Sequence, residues 1–157
     1  MRTGIGYDIH PFADGCPLIL GGVHIEHERG LSGHSDADVL AHAVIDALLG
    51  AAALGDIGTH FPPGDPRFEN ASSIELLRQT AAFVREHGHH VVNVDSTVIA
   101  QEPRLTPHIW AVRSSLAEAL GVGLEDVSVK AKSADHLGAI GRGEGIAALA
   151  IALLDSP

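Results

Sequence analysis

Apolar and polar positions alternate with two distinct periods along this chain of 157 residues. Positions 2–10 alternate as a strand, which places Asp8 and His10, two apart, on the same face. Pro11 is expected to end that strand or to force it to an edge. Leu18-Ile19-Leu20, Gly21-Gly22 and Val23-His24-Ile25 predict a tight β-hairpin. From about Asp36 to Ala53 the period becomes helical, with Leu40, Ala43, Val44, Ala47, Leu48 and Ala51 on one face and Asp36 as the expected cap. Val39, Ile45, Leu49 and Ala52 make the opposite side apolar too, and a helix apolar nearly all round is buried.

The remainder alternates helix with strand. A Gly/Pro-rich acidic loop spans 55–66, and Ser72-Ser73-Ile74-Glu75 predicts a capping box opening a second helix that Gly88 ends. A strand follows over 91–100. Thr106, with Pro107 at the first helical position, is expected to cap a third helix. Val127 to Lys132 and Ile146 to Leu154 complete the strands, separated by a turn rich in glycine, in which Arg142 and Glu144 are placed to pair. One domain over 1–157 follows, an α/β (α+β) two-layer sandwich with a mixed β-sheet and three main helices on one face.

Within the buried helix, Asp38, His42 and Asp46 recur every four residues and form one polar ridge. Buried charge needs a partner. The ridge is either a self-satisfied core network or a metal-bound imidazole with orienting carboxylates one turn away. Asp8, His10 and His42 supply a carboxylate and two imidazoles, a set that suits Zn²⁺ with a fourth position open.

Composition narrows the partners. A formal net charge of −10 disfavours nucleic acid and anionic membrane surfaces, yet still allows a phosphorylated ligand held by local cations or metals. Mean hydropathy of +0.18 with 45% hydrophobic residues marks a globular chain. No apolar run is long enough to span a bilayer, and the N-terminus reads straight into a strand without a leader. Cys16 is alone, which suits a reducing compartment; a cytoplasmic or organelle-lumen location follows, of which the cytoplasm is expected. Gly141-Arg142-Gly143-Glu144-Gly145 lacks the third glycine and the following helix of a dinucleotide fingerprint, and no Ser-His-Asp or Cys-His nucleophile is found. Such a chain suits chemistry in which the substrate brings its own nucleophile.

The motifs Gly-Tyr-Asp-Ile-His at 6–10, Leu-Gly-Gly-Val at 20–23, the run from His34 to Ala43, the run from Asp46 to Gly58, Asn-Val-Asp at 93–95, Pro-His-Ile at 107–109, Val-Lys-Ala-Lys at 129–132 and the Gly-rich segment at 141–145 together resemble the 2-C-methyl-D-erythritol 2,4-cyclodiphosphate synthase family. The resemblance runs from Gly6 to Leu154 and implies a homotrimer with active sites between subunits. It implies cyclisation of a cytidine diphosphate substrate with release of CMP, in non-mevalonate isoprenoid precursor synthesis. It assigns Zn²⁺, one per subunit, to Asp8, His10 and His42, and Mg²⁺ or Mn²⁺ to the substrate diphosphate with Asp135. It gives His34 and Ser35 to phosphate and the erythritol end, and Asp56, Ile57, Gly58 and Asp65 to the sugar pocket. Ala100, Arg104 and Leu105, with Ala131, Lys132 and Ser133, receive the cytidine diphosphate part, Arg142 joins the substrate-binding set, and Asp38 and Asp46 stand behind the metal ligands.

This chain departs from the family pattern at several of these positions. Asp135 replaces the usual Glu, Pro63-Gly64-Asp65 the common Asp-x-Asp, Lys132-Ser133 a pair of hydroxyl residues, Arg104 a Lys, and Ala139 an aromatic near the trimer axis. Two other activities fit the same donor set: a zinc phosphohydrolase using water, and a metal-stabilised trimer that binds isoprenoid diphosphates without turnover.

Overall fold

The computed structural model describes residues 1–156. Its strands are β1 (Arg2–Ala13), β2 (Leu18–Leu20), β3 (Val23–Ile25), β4 (Gly30–Leu31), β5 (His90–Ile99), β6 (Val127–Lys132) and β7 (Gly145–Asp155). Its helices are α1 (Val39–Ala52), α2 (Ile57–His60), α3 (Ser73–Glu86), α4 (Ile109–Leu120) and α5 (Gly138–Gly141). Five strands form a mixed sheet in the order β4-β1-β7-β5-β6, where β5 and β6 run parallel and the other pairs antiparallel. The β2–β3 hairpin stands apart as its own two-stranded sheet. Its Gly21 and Gly22 take φ of +55° and +75°, the left-handed pair that a two-residue hairpin turn requires. No helix among the described residues is long and apolar enough to cross a membrane.

The two-period pattern translates directly into layers. In β1, Ile5, Tyr7 and Ile9 face outward while Gly4, Gly6, Asp8 and His10 face α1. A Cβ on Gly6 would lie 1.8 Å from the Ala43 carbonyl oxygen, and one on Gly4 2.1 Å from that of Ala47. The backbone of α1 therefore rests directly on β1, with no side chain between them. α1 also meets α3, which in turn packs on α4. Enclosed between sheet and helix, α1 buries twelve of its fourteen residues, which explains its apolar circumference.

Four local expectations are corrected. Of the two outcomes expected at Pro11, ending the strand or taking an edge, the first does not occur: β1 runs on to Ala13, because Pro11 needs no N–H there and its carbonyl accepts from Ser32 N–H at 2.9 Å. Asp38, not Asp36, caps α1, accepting from the Ala41 N–H. Ser72 precedes α3 without a side-chain cap bond, so the capping box does not form. Thr106 and Pro107 open a 3₁₀ turn over Thr106–His108, with α4 beginning at Ile109 and no side-chain cap at either start.

Candidate metal centre and nucleotide cavity

Strand parity and helix position bring Asp8, His10 and His42 together. Asp8 Oδ2 lies 2.9 Å from His10 Nε2 and 2.9 Å from His42 Nδ1, and the two nitrogens are 3.3 Å apart. Tetrahedral zinc with bonds near 2.0–2.1 Å separates its ligand atoms by roughly 3.3 Å, so this triangle fits such an ion with little movement. Among the described residues this is the one group of three His, Cys, Asp or Glu side chains close enough to hold a metal. Burial raises the Asp8 carboxyl, but hydrogen bonds and charge from His10 and His42 outweigh it and bring the group down to about 2. For His10, burial opposes the charged ring, yet the bond to Asp8 wins and the pKa rises. Both shifts describe a site in which an anionic carboxylate faces positive charge.

The far nitrogens of both rings are also held. His10 Nδ1 lies 2.9 Å from the Ser32 carbonyl oxygen, to which it donates, so Nε2, beside Asp8 and His42, is the nitrogen that would take a metal. His42 Nε2 is 2.8 Å from Ser73 Oγ and 3.1 Å from Ser35 Oγ. Ser73 is fully buried and donates its hydroxyl to Asp36, which also accepts from the Ser73 N–H at 3.0 Å. The expectation that Asp38 and Asp46 orient the His42 ring by hydrogen bonds is therefore corrected. Asp38 accepts from the N–H groups of Gly21 at 2.9 Å, Gly22 at 2.7 Å and Ala41 at 3.0 Å, which ties the hairpin to the start of α1. Asp46 accepts from the Ile57 N–H at 2.7 Å and anchors α2. Side chains on one helix face cannot turn toward each other when stronger partners stand beyond the helix. Ser73, Asp36 and the Ser32 carbonyl were not anticipated; the one sequence signal was a second serine in an expected cap.

The residues expected beside the metal divide in two. Ser35 reaches His42 Nε2 at 3.1 Å and so stands with the triad, whereas His34 Nε2 donates to the Asp65 carbonyl at 3.0 Å and faces the 55–66 loop instead. Asp56 spends its carboxylate on Thr59, and Asp65 spends its own on Arg67, leaving both carboxylates already engaged.

Ala100, Arg104, Leu105, Ala131, Lys132 and Ser133 line a second feature, an open cavity of about 240 Å³ between the ends of β5 and β6. Gln101, Pro103 and Thr106 complete its wall. Arg29 bridges its loop to the rest of the chain, meeting Glu102 at 3.5 Å and donating to the Gly143 carbonyl at 3.1 Å. Asp135 follows β6 in an exposed turn, 3.4 Å from Ser133 Oγ. Arg142 lines neither the triad nor this cavity, and its guanidinium is held by Glu144 at 2.6 Å.

One row of the sheet relates the two features. Asp8 pairs with Ala148, Ala148 with Val98 and Val98 with Ala131. Three strand spacings separate the ends of that row, about 14 Å. Val98 lies in closed core against Leu20, Leu40 and Leu105. Within one chain the triad and the cavity are thus divided by packed side chains.

A family model described as the YgbB family matches residues 1–155. This chain belongs to the YgbB family. It is 60% identical over 153 residues to the 2-C-methyl-D-erythritol 2,4-cyclodiphosphate synthase of Burkholderia thailandensis, covering 98% of this chain and 94% of that protein. It is 58% identical over 154 residues to the synthase of the same name from Moorella thermoacetica, again covering 98% and 94%. Among solved structures, the bifunctional IspDF of Campylobacter jejuni superposes with a TM-score of 0.95 at 46% identity over 99% of this chain, which spans 42% of that longer protein. The CDP complex of IspF from Plasmodium falciparum gives 0.85 at 33% identity, covering 99% of this chain and 96% of the other.

Proposed function

We propose that this chain is a 2-C-methyl-D-erythritol 2,4-cyclodiphosphate synthase, one catalytic domain over 1–157. It converts 4-diphosphocytidyl-2-C-methyl-D-erythritol 2-phosphate to the 2,4-cyclodiphosphate and CMP. The observation that carries the reading is a metal-competent Asp8–His10–His42 triangle accompanied by a cavity at the ends of β5 and β6. Relatives of this chain carry that synthase name, and a structural neighbour holds CDP.

An oxygen of the substrate's 2-phosphate attacks its own β-phosphorus, and the bond from that phosphorus to the CMP oxygen breaks. A phosphate dianion needs no general base, so the chain supplies position and charge neutralisation. Asp8, His10 and His42 would hold Zn²⁺, which when bound supplies positive charge to a diphosphate oxygen. Ser73 and the Ser32 carbonyl keep both rings in the tautomer that presents a lone pair. Asp135 would help hold Mg²⁺ or Mn²⁺ at the diphosphate. Arg104 and Lys132, at the cavity wall, neutralise phosphate charge, while backbone groups over 100–105 face the base.

The shared site of a homotrimer completes this reading. The outer sheet face exposes Ile5, Tyr7, Ile9, Leu149 and Ile151, a contiguous apolar surface of the kind assemblies cover. With about 14 Å and a closed core between them, the triad of one chain and the cavity of the same chain do not share one opening. A neighbour in a cyclic trimer can supply the missing half.

The test is CMP release from the authentic substrate by the purified protein, before and after chelation and metal add-back. CMP and a cyclic diphosphate carrying no solvent oxygen are expected. An opened phosphate containing solvent oxygen would assign a phosphohydrolase instead, and ligand binding without CMP would leave a binding protein.

A further inference from the structure

We propose that Gln101 is a positioning residue that sets the Asp135 carboxylate from the wall of the nucleotide cavity. The inference rests on the reading that Asp135 helps hold the second divalent ion. Gln101 lines the cavity, and its Oε1 accepts the His136 backbone N–H at 3.0 Å. Asp135 and His136 are consecutive non-glycine residues at φ of +50° and +61°. Aspartate and histidine tolerate that region better than most residues, but two in succession are uncommon and depend on the contacts around them.

Three contacts hold this turn. The Leu137 N–H donates to the Ala134 carbonyl at 2.9 Å and closes it. Gly141 presses against its back, where a Cβ would lie 2.2 Å from the His136 carbonyl carbon, which gives one glycine of the 141–145 segment its purpose. Gln101 holds the front. Among the described residues it is the one side chain that hydrogen-bonds to His136, through Oε1 and a longer 3.5 Å approach of Nε2 to the ring. Ser133 approaches Asp135 only at 3.4 Å, the outer limit of such a bond.

The chemistry that follows is a coupling. Asp135 is short, with few torsions to make good a displaced backbone, so its carboxylate goes where the turn puts it. A nucleoside diphosphate seated against the loop at 101–105 steadies Gln101 and, through it, the carboxylate. A divalent ion bound at that carboxylate steadies the same loop. Because coupling between two ligands is reciprocal, each should tighten the other.

The experiment titrates CDP into the zinc-loaded assembly by calorimetry, with and without Mn²⁺, for wild type, Gln101→Met and Asp135→Asn. Methionine matches the length of glutamine but offers no comparable acceptor. Mn²⁺ should tighten CDP binding in wild type. In Gln101→Met that enhancement should shrink about three- to tenfold, the value of one hydrogen bond, while metal-free CDP affinity changes less. Faster hydrogen exchange at the His136 N–H should accompany it. An undiminished Mn²⁺ effect in Gln101→Met, with the effect lost in Asp135→Asn, overturns the role of Gln101 alone. An undiminished effect in Asp135→Asn removes the reading of Asp135 beneath it. If methionine collapses the cavity, shown by lost metal-free binding, Gln101→Asn, one methylene short of His136, gives the same comparison.

Discussion

His42 Nε2 lies 2.8 Å from the hydroxyl of Ser73, which donates onward to Asp36. An imidazole of the candidate metal triad is thereby oriented by a serine at the first position of another helix, with the carboxylate one step further away. Partners of this kind fix ring orientation and ligand basicity, and losing one costs about 10- to 100-fold in metal affinity. Ser73→Ala should weaken zinc binding by that order with the fold intact. A zinc competition titration with a chromophoric chelator measures it, and wild-type affinity would remove Ser73 from the site.

His42→Ala and Asp8→Ala should each lose the zinc outright, about one ion per chain, since three ligands set the affinity of such a site. Metal analysis after gel filtration gives the stoichiometry. Undiminished zinc in both variants would take the triad out of the account.

Asp8→Ala and Asp135→Ala should both be inactive alone and recover activity when mixed. A site regains both halves only when its triad comes from an Asp135→Ala chain and its cavity side from an Asp8→Ala chain. Random assembly in a ring of head-to-tail interfaces meets that condition in about one site in four. CMP release near that fraction of wild type is expected from equal co-expression. No recovery in verified mixed assemblies would mean that each site is built within one chain.

Gly6→Ala should destabilise the protein by about 3 kcal/mol or more, because its Cβ would have to push the Ala43 carbonyl, and α1 with it, away from β1. Gly50→Ala is the control. A Cβ there meets only the Ile5 carbonyl oxygen at 3.9 Å, so the gain in helix propensity of about 0.5–1 kcal/mol should appear. Urea unfolding separates the two, and equal midpoints would contradict the direct contact of helix and strand backbones.

Burial pushes the Asp38 carboxyl up to about 6; hydrogen bonds from Ala41, Gly22 and Gly21 oppose the rise and the charge of Asp36 adds to it. A folded pKa above the unfolded value of 3.8 means that the folded state holds the proton more tightly. This contribution is greatest below about pH 4 and is lost as pH rises toward about 6. The unfolding free energy of wild type minus that of Asp38→Asn should therefore fall across that window. A difference that is flat or rises would refute the shift.

The amino-acid order alone determined the periods, and with them most of the strands and helices. It placed Asp8 and His10 on one strand face and His42 on the buried helix above, because parity and helical spacing are local geometry that any reader of the chain can count. It also singled out the residues over 100–105 and 131–133 through their likeness to a family. Only the tertiary structure decided what each polar side chain does. Asp38 faces the hairpin glycines, Asp46 faces Ile57, and His42 turns to Ser73, thirty-one positions away in the chain. A hydrogen bond goes to whichever partner the packing brings within 3 Å or so, and no local period encodes that choice. The separation of triad and cavity along one row of the sheet is likewise a matter of strand order. β7, the last strand of the chain, lies between β1 and β5, and that insertion divides the triad from the cavity.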